Sequence, residues 1–220
     1  MRFSHLCRLL PALAVIVFSV APSFAQTDYR TSSTGMLTVG AGLAIGTSMT
    51  LKPEEGANVV PGLAWKLTAD ATYPLSPSVA AMLSFGLNSR SLVTHPNKAA
   101  DQKSAVNVSY FGINPAFKFS VFALGVNFLF PMSASVTADD KTTDLTSAQE
   151  DMLNTLIEPR IAFIVPLMDE EIGWLGLTIG AGLTIDDYFD RFPNSQANNQ
   201  MVSADLGLTW QFGIKGTGRR

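Results

Sequence analysis

Charged residues are scarce in this 220-residue sequence. Asp, Glu, Lys and Arg make up 15% of it and hydrophobic residues 47%, whereas soluble globular domains usually contain about 25% charged residues. Such a hydrophobic content argues against an intrinsically disordered chain. The formal net charge of -3 argues against nucleic acid as a partner, because nucleic-acid-binding domains present clustered basic residues. The composition leaves a globular or membrane protein that exposes few charges to water.

Cysteine and histidine are almost absent. Cys7 is the single cysteine, so a disulfide framework, which needs pairs of cysteines, is excluded. The two histidines are His5 and His95. Because protein sites for transition metals are built largely from thiolate and imidazole ligands, such a site is hard to assemble here. We therefore expect neither a metal nor a cofactor.

Long hydrophobic runs are also missing, except for one at the N-terminus. Residues 1–8 contain two arginines and no acid, and residues 9–20 are almost wholly apolar. Ser23 and Ala25 then place small residues at the two positions that a signal peptidase reads. We predict that residues 1–25 are a signal peptide for the secretory pathway, with an uncleaved anchor helix as the alternative. The remaining 195 residues contain no run of about 18 apolar residues, so any membrane crossing must be made without helices.

Strict alternation of apolar and small or polar residues takes the place of those runs. Successive side chains of a β-strand point to opposite faces, so a period of two indicates strands. Each segment has about the 9–11 residues that a tilted strand needs to cross a bilayer. The alternating segments are residues 37–46, 63–73, 79–88, 110–119, 122–130, 157–167, 175–185 and 202–212.

The connectors alternate between short and long. Short turns are predicted at residues 75–78, near Ser120 and at residues 169–173, and all the other connectors are longer and more polar. Short periplasmic turns and long external loops are typical of outer-membrane barrels. The predicted long loops are residues 47–60, 89–105, 132–155 and 187–200.

Alternation alone does not show which face of the strands points outward. A soluble barrel of the lipocalin kind would bury the apolar face, whereas a membrane barrel would turn it outward to the lipid. A solvated surface would be rich in Lys and Glu, but the second face here consists mainly of Gly, Ala, Ser, Thr and Asn. Small residues suit the narrow lumen of an eight-stranded barrel. The apolar face carries aromatic residues near segment ends, as an interfacial aromatic girdle does. The predicted girdle is Tyr73, Phe119, Phe122, Trp210 and Phe212.

The pattern over residues 34–212 resembles the small eight-stranded bacterial outer-membrane barrels, the class that contains OmpX, the OmpA membrane domain and the PorT-like proteins. The resemblance implies an all-β fold, an eight-stranded antiparallel up-and-down transmembrane β-barrel in the bacterial outer membrane. Residues 26–33 would then form a periplasmic N-terminal segment, and residues 213–220 a short basic C-terminal tail.

The last segment also resembles the barrel-assembly signal of such proteins, which ends in alternating hydrophobic or aromatic residues. The matching residues are Asp205, Gly207, Trp210 and Phe212. The resemblance implies recognition by the barrel-assembly machinery. The sequence departs from the pattern in continuing after Phe212, where the signal usually ends the chain.

Six charged residues fall on the face predicted to line the lumen. Three are cationic and three anionic, and buried charges are costly unless they are paired. We therefore predict a network of ion pairs that plugs the barrel, with a gated path for ions or small solutes as the alternative. The predicted network is Lys66, Asp70, Lys118, Glu158, Arg160 and Asp205.

A catalytic constellation is not recognisable. Lipid A deacylases of the PagL type resemble this architecture, but their chemistry needs a His beside a Ser nucleophile. The one histidine after the signal peptide, His95, falls in a predicted external loop, so we predict that it is solvated and that the protein is not an enzyme. In the longest loop, Ser147 to Glu150 fits a capping box and predicts a short helix.

These observations predict a structural or surface-interaction protein whose external loops serve adhesion, envelope integrity or partner binding. The alternatives are a narrow channel for ions or small solutes and, more remotely, an outer-membrane lipid-modifying enzyme. The expected partners are outer-membrane lipids, lipopolysaccharide, the barrel-assembly machinery and a surface partner bound through the loops, but no nucleic acid.

Overall fold

A computed structural model of the chain describes residues 37–52, 58–76, 78–95, 104–138, 141–170, 173–187 and 198–213. The predicted signal peptide, the N-terminal segment at residues 26–33 and nearly all of the C-terminal tail lie outside the described residues.

Eight long strands and two short ones form the described fold. The long strands have between 11 and 17 residues, and the alternating segments of the sequence lie on them except for residues 37, 184 and 185. They are β1 (Thr38–Lys52), β3 (Gly62–Ser76), β4 (Val79–His95), β5 (Ser104–Phe119), β6 (Phe122–Ala138), β8 (Leu156–Glu170), β9 (Gly173–Leu183) and β10 (Asn198–Gly213). The short strands are β2 (Asn58–Val60) and β7 (Lys141–Asp144), and a single turn of helix, α1, spans Ser147–Glu150.

The eight long strands close into an antiparallel barrel. Each one pairs with its neighbours along the chain, and the ring closes where β1 pairs with β10. Following paired residues once around the barrel from Ser48 leads back to β1 at Thr38, which is a stagger of ten residues. Such a stagger requires strands that are tilted against the barrel axis. The predicted eight-stranded up-and-down barrel is confirmed.

The alternation of the sequence separates the two faces of the barrel wall. On β1, Leu43 and Ile45 are 58% and 62% exposed, whereas Gly42 and Ala44, which alternate with them, are buried in the lumen. The same division holds along the other long strands. Leu63, at 68%, is the most exposed of the large apolar residues on the described outer wall.

The external connectors are shorter than predicted. The predicted loop at residues 89–105 is largely strand, because β4 continues to His95 and β5 begins at Ser104. His95 is therefore the last residue of a strand, with its backbone paired to Asn58, and the prediction that it lies in a loop is wrong. These residues can remain in strands because strand pairing satisfies the hydrogen bonds of their backbone. The alternation of inward and outward side chains therefore continues into residues that were predicted as polar loop.

The predicted helix is present but begins one residue early. Its N-cap is Thr146, whose N–H donates to Gln149 Oε1 at 3.0 Å. The capping box is therefore formed by Thr146 and Gln149 rather than by Ser147 and Glu150. The Glu150 carboxylate instead accepts a hydrogen bond from the Ala134 N–H at 3.3 Å, which ties the helix to β6. No helix within the described ranges has the length and apolar character of a membrane span.

The outer wall of the barrel is an apolar band. Soluble monomers rarely expose contiguous apolar patches larger than a few hundred Å², yet large hydrophobic residues are exposed on all eight long strands. Lipid tails are the environment in which such a surface is stable. Because the ring leaves no unpaired strand edge at the centre of this band, the backbone is also compatible with lipid.

A charge in the apolar band should destabilise the barrel according to its depth. We expect Leu43→Arg, near the middle of β1, to cost about 2–4 kcal/mol and Leu51→Arg, at the loop end of the same strand, about 0–1 kcal/mol. Urea unfolding in lipid vesicles, followed by tryptophan fluorescence, measures both. Equal costs at the two positions would contradict a bilayer centred on the band.

Candidate functional site

The barrel lumen contains most of the buried polar groups of the described chain, in three successive levels. Nearest the short turns is a small cavity, which we call the turn-side cavity. Above it is a charge layer formed by Lys66, Arg90, Glu158, Arg160 and Asp205. The loop end is filled by an apolar plug, which consists of Leu92, Val108, Tyr110, Leu129, Ala134, Leu153, Leu156 and Met201.

Glu158 is the centre of the charge layer and is fully buried. Its Oε2 accepts hydrogen bonds from Arg90 Nη2 at 2.6 Å, Arg160 Nη1 at 3.4 Å and Asn127 Nδ2 at 3.1 Å. Its Oε1 accepts the Ser203 hydroxyl at 2.5 Å. A buried carboxylate is tolerated only when paired and hydrogen-bonded in this way.

Arg160 joins Glu158 to a second acid, Asp205. The guanidinium forms a short ion pair with Asp205, and Lys66 Nζ lies 2.8 Å from the other carboxylate oxygen of Asp205. The planar fork of Arg suits it to bind two acids at once. Two cations therefore share Asp205 and two share Glu158, with Arg160 common to both.

Small residues on the intervening strands make these contacts possible. Arg160 on β8 and Asp205 on β10 meet across β9, where Gly180 lies between them. A Cβ at Gly180 would lie 2.7 Å from Arg160 Nη2 and 3.1 Å from Asp205 Oδ1, so both side chains would have to shift. Lys66 reaches Asp205 across β1, which carries Ala44 and Gly46 at this level. The small residues of the inner face therefore have a specific task, namely to leave room for long charged side chains.

The structure brings together four of the six predicted network residues. Asp70 lies four residues from Lys66 along β3 toward the turns, roughly 13 Å at the usual rise per residue, and its carboxylate contacts the hydroxyls of Ser84 and Thr68. Lys118 lies near the turn end, with Nζ 4.9 Å from the ring centroid of Trp174. The charge layer therefore contains four of the six predicted residues, because residues on one inner face can lie at different depths. A wider network that includes Asp70 and Lys118 stays a prediction.

Arg90 is the member of the charge layer that the sequence analysis missed. It is buried, and it falls in the part of β4 that was predicted as loop. With Arg90 included, the described lumen charges are four cations and three anions rather than a balanced set. The signal was available, since Asn88 and Arg90 continue the inner-face alternation by one further step.

The apolar plug was not predicted either. The sequence analysis expected a polar lumen, but at the loop end apolar residues predominate on the inner face, and Leu129, Leu156 and Met201 are completely buried there. Thr50 and Thr184 are buried polar residues beside Met201. Leu153, from the segment after α1, closes the plug from above. Alternation identifies these residues as inward-facing but does not show that they meet.

The turn-side cavity is small, with a volume of ≈ 100 Å³, and its lining mixes apolar and polar side chains. Its lining includes Lys66, Asp70, Asn114, Asn127 and Arg160. That volume suits a few water molecules, given that one water occupies about 30 Å³ in the liquid. Between this cavity and the loop end lie both the charge layer and the apolar plug.

The five predicted girdle residues lie on the outer wall at the turn end of the barrel. Phe122 packs edge-on against Phe163, with ring centroids 5.5 Å apart, and Trp210 stacks on Phe212 at 5.2 Å. Tyr73 on β3 and Phe119 on β5 are exposed.

The predicted assembly signal lies on β10, the strand that closes the ring. Trp210 and Phe212 point outward, whereas Asp205 and Gly207 face the lumen. Asp205 thus also belongs to the charge layer. Its role in assembly stays a prediction.

Metal and catalytic groupings are sparse in the described part of the chain. It contains no set of three His, Cys, Asp or Glu residues that could hold a metal ion. The backbone of His95 is described but its side chain is not.

Comparison with known proteins gives structural likeness without sequence relatives. No family model and no curated protein matches this chain. Among solved structures, Neisserial surface protein A is 9% identical, with a TM-score of 0.42 over 81% of this chain and 97% of that one. Ail of Yersinia pestis is 10% identical, with a TM-score of 0.40 over 82% and 100%. The outer membrane protein AlkL, solved in lipid bilayers, is 12% identical, with a TM-score of 0.43 over 86% and 94%.

The architecture itself assigns the environment. A closed ring of eight tilted strands with an apolar outside and a polar inside is the outer-membrane form of a transmembrane protein. The chain is a small barrel of that class, located in the outer membrane.

Neutralising the central carboxylate should destabilise the barrel strongly. Glu158→Gln keeps the shape of the side chain but leaves Arg90 and Arg160 buried without their shared anion, and breaking a buried pair in this way costs about 3–5 kcal/mol. The matched variant Asp70→Asn, whose carboxylate contacts hydroxyls rather than a salt-bridge partner, should cost about 1–3 kcal/mol. Urea unfolding in lipid vesicles compares the two, and an equal or smaller loss for Glu158→Gln would contradict the central role of Glu158.

Proposed function

We propose that this small outer-membrane barrel is a non-conducting anchor that holds a structured loop surface on the outer face of the membrane, where it serves surface interaction rather than transport. The observation that carries the proposal is the apolar plug, which fills the lumen above the charge layer.

The plug opposes conduction because most of its side chains are apolar and offer few polar partners to a passing ion. Leu129 on β6 and Leu156 on β8 are directly paired, point inward and are completely buried. An ion or a polar solute at this level would lose most of its water and gain few ligands, which is costly. The charge layer beneath adds a second barrier, because its side chains are held by mutual ion pairs across the lumen.

The plug also organises the external loops. The Leu145 N–H donates to the Ala134 carbonyl at 2.9 Å, so the segment after β7 is bonded to β6. Asn154 Nδ2 donates to the Asp187 carbonyl at 3.1 Å and joins two successive loops. Leu153 enters the plug from the same segment. Burial of apolar side chains beneath a loop restricts its motion, and a restricted loop loses less entropy when it binds a partner.

The described loop surface is acidic. Asp144, Asp151 and Asp186 are exposed, and Glu150 is half-buried. This charge disfavours nucleic acid and other acidic partners and favours a partner with a neutral or basic surface. Membrane lipids, lipopolysaccharide and the barrel-assembly machinery complete the proposed partners, the last through the end of β10.

A narrow channel is the second candidate, and the turn-side cavity favours it. The cavity already reaches Lys66 and Arg160, so a path through the lumen would also need displacement of the plug and exchange of ion pairs. A lipid-modifying enzyme is a third and weaker alternative.

Conductance across planar lipid bilayers distinguishes the first two candidates. We expect the refolded wild-type barrel to show no steady single-channel current. The double variant Leu129→Ala and Leu156→Ala should conduct, because it removes apolar volume from the plug on both paired strands. The matched control is Leu124→Ala with Ile161→Ala, an outward-facing pair on the same two strands, and it should remain silent.

Two results would overturn this proposal. Steady wild-type currents that change in Lys66→Ala would establish the channel instead. Equal currents from the plug and control variants would show that wall damage, rather than loss of the plug, opens the barrel. A gel shift that appears only on boiling confirms in each case that the barrel has folded.

A further inference from the structure

The outer wall changes chemistry abruptly on one side of the barrel. On β4, β5 and β6 the apolar band ends in a row formed by Leu87, Phe111 and Phe130, which are paired across the strands and exposed. Met132 on β6 is also exposed, at the register shift next to this row, and the other outward-facing positions that follow toward the loops are hydroxyl or amide residues. We call them the polar wall: Ser89, Ser91, Asn107, Ser109, Ser133 and Ser135.

The polar wall is a regular grid. One row pairs Ser89 with Ser109 and Ser109 with Ser133, and the row above it pairs Ser91 with Asn107 and Asn107 with Ser135. Strands lie about 4.8 Å apart, and successive outward residues on one strand are roughly 6.7 Å apart. The grid is therefore about 10 Å wide and 7 Å high, the scale of one to two sugar rings.

The inner face behind the grid is fully occupied. Arg90, Val108 and Ala134 point into the charge layer and the plug from the same three strands. The strands that carry the polar wall are therefore supported from behind. The hydroxyl and amide groups stand on a stiff surface, so little ordering is needed when they bind.

The chemistry of the polar wall limits the kinds of molecule that it can bind. Its six side chains carry no charge, and Asp144, which continues the upper row on β7, is an anion. Phosphate recognition depends on Arg and Lys, so this surface does not suit a phosphate group. Protein interfaces depend on buried aromatic or Arg anchors, and the grid contains neither. Neutral hydroxyl groups are the partners that such a surface can match.

An aromatic ring lies at the lower edge of the grid. Trp65 on β3 is paired with Ser89 and is 41% exposed on the outer wall. Tryptophan favours the boundary between lipid and water because its ring is apolar and its N–H is polar. Trp65 therefore lies near the level at which acyl chains give way to headgroups, and Leu63, one outward position nearer the loops on the same strand, is still apolar.

We propose that the polar wall binds the neutral sugar units of a glycolipid headgroup in the outer leaflet. The wall continues directly from the lipid-facing band, so a lipid whose acyl chains lie on Leu87, Phe111 and Phe130 places its headgroup on the grid. The inference rests on the outward orientation of the loops in the proposed function but not on a closed lumen. A conducting barrel would leave it intact.

Lipid retention in nanodiscs tests this site. The full barrel is reconstituted into phosphatidylcholine discs that contain equal small amounts of a neutral oligohexosyl diacylglycerol and of phosphatidylglycerol with the same acyl chains. Mass spectrometry then counts each lipid retained per barrel after mild delipidation. We expect the wild type to retain the glycolipid over phosphatidylglycerol by about tenfold, since a few net hydrogen bonds suffice for such a ratio.

Two double variants make the test specific. Ser91→Leu with Ser135→Leu removes two hydroxyls from the upper row, and the retention ratio should fall to near one. Ser78→Leu with Ser147→Leu changes two exposed serines away from the wall and should leave the ratio unchanged. Heat-dependent gel mobility verifies that both variants fold.

Three outcomes would overturn the inference. The wild type could retain both lipids equally, which excludes sugar recognition. It could prefer phosphatidylglycerol, which assigns the contact to phosphate. The wall variant could keep the preference, which places the sugar contact elsewhere on the barrel.

Discussion

Closure of the strand ring is the constraint on which the rest of this structure depends. In lipid, an unpaired backbone N–H or C=O has no water to bind, so a membrane-spanning sheet must pair its first strand with its last. Here β1 and β10 meet in register from Thr38 opposite Gly213 to Thr50 opposite Met201. That pairing allows the band of the outer wall that faces the acyl chains to be apolar and leaves the inner wall as the one place where polar side chains can concentrate at that depth.

A ring of only eight strands makes the lumen narrow, and its narrowness explains its composition. Side chains from opposite walls meet in the middle, as Arg90 on β4 and Glu158 on β8 do. Long charged residues fit only where the neighbouring strand carries Gly or Ala, as Gly180 does between Arg160 and Asp205. Once inside, each charge requires a partner, because a single buried charge is far more costly than a pair. The charge layer thus follows from the strand count together with the placement of small residues.

The loop end follows from the same geometry. β4, β5 and β6 continue beyond the apolar band, so one side of the barrel is taller than the other, and its inner face supplies much of the plug. The same strands present hydroxyl groups on their outer face. One set of extended strands therefore closes the lumen, supports the loops and changes the surface from one that suits acyl chains to one that suits headgroups.

The sequence by itself determined the strand count, the two faces of each strand and the membrane character of the barrel, because alternation is a local property of each segment. It also identified Lys66, Glu158, Arg160 and Asp205 as residues of the inner face. The tertiary structure alone decided which of these charges meet, because the ten-residue stagger sets the depth of each strand relative to the others. The contacts of Arg90 and the packing of the apolar plug depend on that stagger as well. Both join residues from strands that are far apart in the chain, and no local pattern records the register between such strands.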